Sequence, residues 1–243
     1  METIGSFCLV KNESPWIAPH ILRALPFLDQ AVFYDGNSTD GTIEIIEHIK
    51  KTHRFGDRIK LVLGKDPENL QDDYVRLFNE CMWALDTDLA VFFHPDMFAA
   101  NPAKLRDFLD KDCIMGVGHM ESYAGEPGGQ LLRIVQGRGE LWPLVYRLRN
   151  PNLSAHYFGH YGAANEAVYF SEITGDIHDF PGQDLSKYPY PVSDPGLKVL
   201  HFSDVRPLSR RIGRMVACLE NQGYSKEQAR EIAPKHERVT LQD

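Results

Sequence analysis

The chain has 243 residues, 43% of them hydrophobic, with 26 Lys and Arg against 34 Asp and Glu and a formal net charge of -8. Its isoelectric point is near 5.7. That balance excludes a general polyanion binder, because nonspecific nucleic-acid binding rests on clustered Lys and Arg neutralising phosphates, so no nucleic-acid partner is expected.

The length suits one main globule with a sizeable core. Cys8, Cys81, Cys113 and Cys218 are scattered, and none belongs to a Cys-x-x-Cys pair, so they read as reduced core residues rather than zinc ligands or a redox dithiol. No apolar run reaches the roughly 18 to 20 residues that cross a bilayer. Met1-Glu2-Thr3 begins without the basic and apolar blocks of a signal peptide. The expectation is a cytoplasmic protein with no transmembrane segment, peripheral membrane contact being left open.

Ile4 to Val10 reads as a first buried strand, with Lys11-Asn12-Glu13 where it leaves the sheet. Ser14 as N-cap and Pro15 at the first helical position open a helix through about Leu28. Strand, polar exit and helix repeat over residues 31 to 51. There Ala31-Val32-Phe33-Tyr34 delivers Asp35 to the sheet edge, and Ser38, Thr39 or Asp40 can cap a helix beginning near Thr42. The same Asn-Ser-Thr-Asp-Gly run equally makes an ordinary turn. A shorter strand follows at Arg58 to Leu63, then a helix from Asn69 to Leu85 with Arg76 and Asn79 on its polar side. Leu89 to Phe93 reads as a very apolar, central strand running into His94-Pro95-Asp96-Met97. In extended backbone His94 and Asp96 point the same way and can grip one divalent ion, although a His is also a common strand terminus. Pro102 to Leu109 reads as a helix and Cys113 to Met120 as a strand.

Strands alternating with helices predict a mostly parallel sheet. Beyond Glu121 the alternation breaks down into short strand-like pieces at Leu131 to Val135 and Leu144 to Leu148, separated by Gly and Pro. The expected division is therefore 1–120 and 121–243, two halves of one globular domain. Glu166 opens the apolar run Ala167-Val168-Tyr169-Phe170, which makes it a candidate for a partly desolvated general base. Residues 179 to 196 read as a long surface loop. A last strand, Leu197 to Phe202, carries His201; a basic helix with Arg206, Arg210, Arg211 and Arg214 follows, and Ser225 caps a short final helix whose tail frays after Pro234.

Taken in order, Val10-Lys11-Asn12-Glu13, Asp35-Gly36-Asn37-Ser38-Thr39-Asp40-Gly41-Thr42, Arg76 with Asn79, and His94-Pro95-Asp96 after an apolar strand resemble the family 2 glycosyltransferases of the GT-A fold. The likeness covers roughly the first 100 residues and is looser from Trp142 through Phe170. It implies an α/β, Rossmann-like GT-A sheet flanked by helices, with an irregular acceptor-side C-terminal half. It also implies an enzyme moving a sugar from a nucleotide diphosphate donor to the hydroxyl of a glycan or lipid-linked acceptor. By this resemblance Val10, Lys11, Asn12, Glu13, Asp35, Ser38 and Arg76 line the donor nucleotide, and Asp96, His94 and His201 are the metal candidates. Glu166 is then the expected catalytic base of an inverting displacement.

The family's metal motif is usually Asp-x-Asp, and here His94 stands at the first of those positions. An imidazole and a carboxylate suit Mn2+ better than Mg2+. Two rivals follow: a non-catalytic GT-A-like nucleotide- or glycan-binding module, motivated by the missing first Asp, and a nucleotidyltransferase, disfavoured because no Gly-rich basic loop follows the first strand.

Overall fold

Strand β1, Ile4–Val10, is buried along its length except for Leu9, as a central parallel strand covered on both faces must be. A computed structural model describes residues 1–64, 77–78, 80–113, 115–125, 131–134, 141–148, 158–159, 168–171, 176–179, 192–205, 209, 212–213, 216, 219–220 and 223–240. Strand β2, Gln30–Asp35, lies parallel to β1 with Val10 opposite Asp35. Strand β3, Ile59–Leu63, lies parallel to β2 with Leu63 opposite Asp35. Strand β4, Leu89–Phe92, takes the other side of β1, also parallel, with Phe7 opposite Phe92. Helices α1, Ser14–Ala24, and α2, Thr42–Thr52, carry the first two crossovers.

The sheet continues through β5, Met97–Ala99, β6, Met115–Gly125, β7, Leu132–Ile134, β8, Leu141–Arg147, and β12, Val192–Val205. Its order is β3-β2-β1-β4-β8-β6-β12-β5, with β7 paired to β6. Beyond the parallel strands, β8 is antiparallel to both β4 and β6, and β7 to β6. The architecture is α/β, with the expected parallel sheet forming its N-terminal part. A separate antiparallel sheet joins β9, Phe158–Gly159, β10, Val168–Ser171, and β11, Asp176–Asp179.

Successive residues of a strand face opposite sides, and the two apolar layers follow from that alternation. Cys8, Phe33 and Val91 pack with Ile17 and Ile21 of α1 and Ile46 and Ile49 of α2. Their neighbours Phe7, Val32 and Ala90 pack on the other side with Phe78, Cys81 and Met82, from a segment helical at residues 77, 78 and 80–83. Cys8, Cys81 and Cys113 are buried free thiols; Cys218 lies outside the described residues. Residues 1–120 with 137–200 form one compact unit, and 121–136 with 201–243 form another. The second has its own small cluster of Leu219, Ala229 and Ala233. Among the described residues no helix is long and apolar enough to cross a membrane.

Several boundaries differ from the sequence expectation. Helix α1 stops at Ala24 and passes into a 3-10 turn, Leu25–Phe27, because Pro26 has no N–H to continue the ladder. Residues Pro102–Phe108 are 3-10 rather than α-helical. Strand β12 begins at Val192, inside the expected loop. Asp194 there accepts the Gly196 N–H at 2.9 Å, and Gly196 takes φ 74°, a local kink that accommodates Pro195. The last helix, α3, runs Lys226–Thr240 straight through Pro234. Its start is a capping box: Gln228 N–H donates to Ser225 Oγ at 3.3 Å and Ser225 N–H to Gln228 Oε1 at 3.0 Å.

Gly56, which closes the turn after α2, is required by close approach: a Cβ there would lie 2.1 Å from the Lys50 carbonyl oxygen. Backbone at a helix end cannot swing aside as a side chain can. Gly56→Ala is expected to lose about 2 kcal/mol of stability, measurable by urea denaturation.

Candidate functional site

Because β1, β2 and β4 are mutually parallel, their carboxyl ends lie on one edge of the sheet. Lys11 to Glu13, Asp35 and the segment from Phe93 to Asp96 therefore emerge together, where α/β sheets bind ligands. Strand β4 ends opposite Phe7, and Phe93 N–H continues the contact by donating to Phe7 O at 3.3 Å.

The first two loops are fastened to each other. Asn12, at φ 55°, turns its N–H to Ser38 Oγ at 2.8 Å and accepts the Thr39 N–H on Oδ1 at 2.8 Å. Glu13 N–H donates to Thr42 Oγ1 at 2.8 Å, and Ser14 N–H to Asp40 Oδ2 at 3.1 Å. Asp40 Oδ1 in turn accepts from Thr42 N–H at 3.2 Å. So Asp40 serves the first turn of α2, although the cap position itself is Gly41 at φ 92°, a conformation that glycine adopts readily. Ser14 is not the cap of α1: that position is Glu13, without a side-chain cap bond, and Ser14 already lies in the helix. Its N–H needs no local cap because the neighbouring loop supplies Asp40.

Within this frame Val10 is a core residue whose carbonyl accepts the Gly36 N–H at 2.9 Å, and Lys11 is exposed. Asp35 is only 1% exposed. Its Oδ1 accepts the Ser38 N–H at 2.7 Å, while its Oδ2 is buried and finds no hydrogen-bond partner among the described residues. A buried carboxylate oxygen left unsatisfied is costly.

The third strand end departs from the expected geometry. Met97 N–H donates to His94 O at 3.0 Å, so His94-Pro95-Asp96-Met97 is a β-turn with Pro95 at its second position. The extended backbone that would align the His94 and Asp96 side chains is absent. His94 lies half-buried with its ring 4.6 Å from that of Phe92, and Asp96 is 4% exposed. Burial, followed by the charges of Cys81, Glu13 and Asp96, pushes the Cys8 thiol well above its ordinary value. Glu13 and Asp96 thus both lie near this buried thiol beneath the strand ends.

His20 was not among the sequence candidates. It sits 3% exposed on the apolar stripe of α1 beside Ile17, Ile21 and Ala24. Its Nδ1 is 3.0 Å from Met97 O; a carbonyl only accepts, so Nδ1 carries the proton. The ring meets Phe33, Phe93 and Phe98 edge-on. Burial pushes its pKa from 6.5 down to about 4, against the opposing pull of the Met97 carbonyl and Asp96. Between those values the unfolded chain takes up a proton that folded His20 refuses. Stability is therefore flat above pH 6.5 and falls as pH drops toward 4, by up to about 3 kcal/mol from this group. In His20→Asn that part of the slope is expected to vanish, which urea denaturation from pH 7.5 to 4 checks.

His201 lies half-buried on β12, with Nδ1 3.4 Å from Ser122 Oγ. Among the described residues no group of three or more His, Cys, Asp or Glu is arranged to hold a metal ion. Arg76, Asn79 and Glu166 lie outside the described residues, as do Arg206, Arg210, Arg211 and Arg214.

Fold and edge together define an α/β protein with a buried acceptor carboxylate and two interlocked loops at its parallel strand ends. No family model and no curated protein matches the chain. It is similar to solved structures at low identity. Staphylococcus aureus TarS 1-349 in complex with UDP is 16% identical, over 60% of this chain and 46% of that one, with a TM-score of 0.41. The mannosyltransferase PcManGT from Pyrobaculum calidifontis, in complex with GDP-Man and Mn2+, is 16% identical over 60% of this chain and 44% of that one, TM-score 0.43. A Bacillus anthracis protein named as a glucose-1-phosphate thymidylyltransferase is 11% identical over 63% of this chain and 80% of that one, TM-score 0.39. The chain spans less than half the length of the first two.

Proposed function

We propose that this chain is a glycosyltransferase of the GT-A type, with family 2 likeness. It binds a nucleoside diphosphate sugar at the edge formed by Lys11, Asp35 and Asp96 and transfers the sugar, with inversion, to an acceptor hydroxyl of a glycan or lipid-linked molecule. The observation that carries the reading is the buried Oδ2 of Asp35, without a hydrogen-bond partner among the described residues, beside a loop pair fixed by its own hydrogen bonds. An imide or amino N–H of a nucleobase fits that acceptor, and the loop geometry is set before the ligand arrives, which lowers the cost of ordering it.

In the proposed roles Asn12 and Ser38 hold the loops, Lys11 and Glu13 line the nucleotide, and Arg76 faces base or diphosphate. A divalent cation, Mn2+ in preference to Mg2+, would be held by Asp96 with His94 and His201 as further candidates, and supplies charge neutralisation of the departing diphosphate. Glu166 takes the proton of the acceptor hydroxyl as that oxygen bonds to the anomeric carbon. The bond from that carbon to the diphosphate oxygen breaks, and the nucleoside diphosphate leaves. Glu166→Gln is expected to lower transfer about 100-fold or more while leaving donor affinity unchanged, measured by product formation and calorimetry.

A second reading, a binding module without turnover, is favoured by one observation: the 94–97 turn carries a His packed on Phe92 where a metal-binding Asp is usual. Incubation with Mn2+ and a panel of nucleotide sugars separates the readings. Release of nucleoside diphosphate with glycosylated acceptor supports the transferase, and binding without release supports the module. Pyrophosphate release from a nucleoside triphosphate and sugar phosphate supports a nucleotidyltransferase.

A further inference from the structure

We infer that His20 and Arg23, three residues apart on one face of α1, are positioning residues that set the place of the Asp96 turn by gripping the backbone just downstream of it. The site they position is that of the proposed transferase; the grip itself stands on geometry alone. His20 Nδ1–H donates to Met97 O at 3.0 Å. Arg23 Nε donates to Ala99 O at 2.5 Å and its Nη2 to Ala100 O at 2.6 Å. Three carbonyls, two on β5 and one just past it, are thus taken by two side chains of one helix.

Strand β5 has a reason to need them. It is three residues long and ends the sheet order, with β12 its strand neighbour. Carbonyls two positions apart in a strand point to the same side, so Met97 and Ala99 present theirs together, toward α1. An edge strand this short makes few ladder bonds and is weakly held by pairing alone. Past it, Ala100 N–H donates to Lys198 O at 2.8 Å and Asn101 Nδ2 to Gly196 O at 2.9 Å. On the other side Phe93 N–H is tied to Phe7 O at 3.3 Å. The turn bearing His94 and Asp96 is therefore suspended between two fixed points, and α1 provides the nearer downstream one. Helix α1 itself begins at the Asn12–Glu13 loop, so the same element fixes both halves of the edge.

The test uses the full chain and compares His20→Leu, Arg23→Met and His20→Asn, the last keeping an N–H close to the place of Nδ1–H. Amide hydrogen exchange is followed by mass spectrometry over residues 94–100 and, as reference, over β1 and β2. His20→Leu and Arg23→Met are expected to speed exchange in 94–100 about tenfold, the effect of losing the net contribution of one hydrogen bond, with β1 and β2 unchanged, and His20→Asn is expected to restore the wild-type rate. Mn2+ binding followed by paramagnetic resonance with UDP or GDP present should weaken about tenfold in the first two variants, with metal-free nucleotide affinity unaltered. Equal acceleration throughout the sheet, no acceleration in 94–100, or His20→Asn behaving like His20→Leu would overturn the positioning role. A wild-type protein that binds no Mn2+ and no nucleotide sinks the transferase reading alone, because exchange still decides the grip. If His20→Leu does not fold, the exposed Arg23→Met decides by itself.

Discussion

Asp35→Asn is expected to weaken nucleoside diphosphate binding by about 30- to 100-fold while leaving thermal stability equal to the wild type or slightly higher. The two effects have separate causes in the same side chain. Asn keeps an oxygen in place of Oδ1, so the 2.7 Å bond from Ser38 N–H survives and the loop pair stays assembled. It replaces Oδ2, buried and without a partner among the described residues, with an amide NH2. In the free protein one buried polar group replaces another of the same size, so folding changes little. Toward a ligand it turns an acceptor into a donor facing another N–H, and a charge-assisted bond is exchanged for a buried mismatch worth about 2–3 kcal/mol. Titration calorimetry with UDP and GDP reads the affinity, and a denaturation curve reads the stability. An unchanged dissociation constant with both nucleotides would remove Asp35 from the site; a large loss of stability would reassign it to the fold.

That Asp35 could be placed at the sheet edge from sequence has a physical reason. An apolar strand, a carboxylate and a turn rich in Gly, Asn and Ser are local signals, and parallel pairing then dictates that strand ends share an edge. The same logic placed Lys11 and Asp96 beside it. What local signals cannot carry is a partner far along the chain. Ser14 looked like a helix cap because the residue that its N–H meets, Asp40, is 26 positions away. His20 was passed over because its partner, the Met97 carbonyl, is 77 positions away; its one local sign was a polar ring on an apolar stripe. The relation of His94 to Asp96 was misjudged for a local reason that was legible: a proline between them suits the second position of a β-turn better than an extended strand. Pro195 and Pro234 misled in the opposite direction. A kink at Gly196 absorbs the first, and a well-capped helix runs on past the second. In the chain beyond Glu121 the signal itself is weak, because short antiparallel pieces such as β7 gain their register from neighbours rather than from their own period.

Asp96→Asn is expected to reduce Mn2+-dependent sugar transfer about 1000-fold, with metal-free nucleotide binding retained. The argument starts from burial: Asp96 is 4% exposed, and a charge so placed must be held by partners or by a cation. Glu13 and Asp96 both raise the Cys8 thiol after burial and Cys81 do so, so two carboxylates lie near these strand ends before a diphosphate adds its own charge. Two like charges repel a diphosphate unless a cation stands between them, and asparagine is a far weaker ligand for it. A cation at developing phosphate charge is worth several kcal/mol, and a loss of about 4 kcal/mol corresponds to three orders of magnitude in rate. The proposed nucleotide contact at Asp35 belongs to the interlocked loops and does not pass through Asp96, so the two functions are expected to separate in this variant. Asn also preserves volume in a turn that His20 and Arg23 hold from outside, so the fold should survive. Initial rates over a range of Mn2+ concentrations check the prediction. Full activity at saturating Mn2+ would mean that Asp96 only tunes metal affinity, and activity independent of Mn2+ would dismiss the cation from this site.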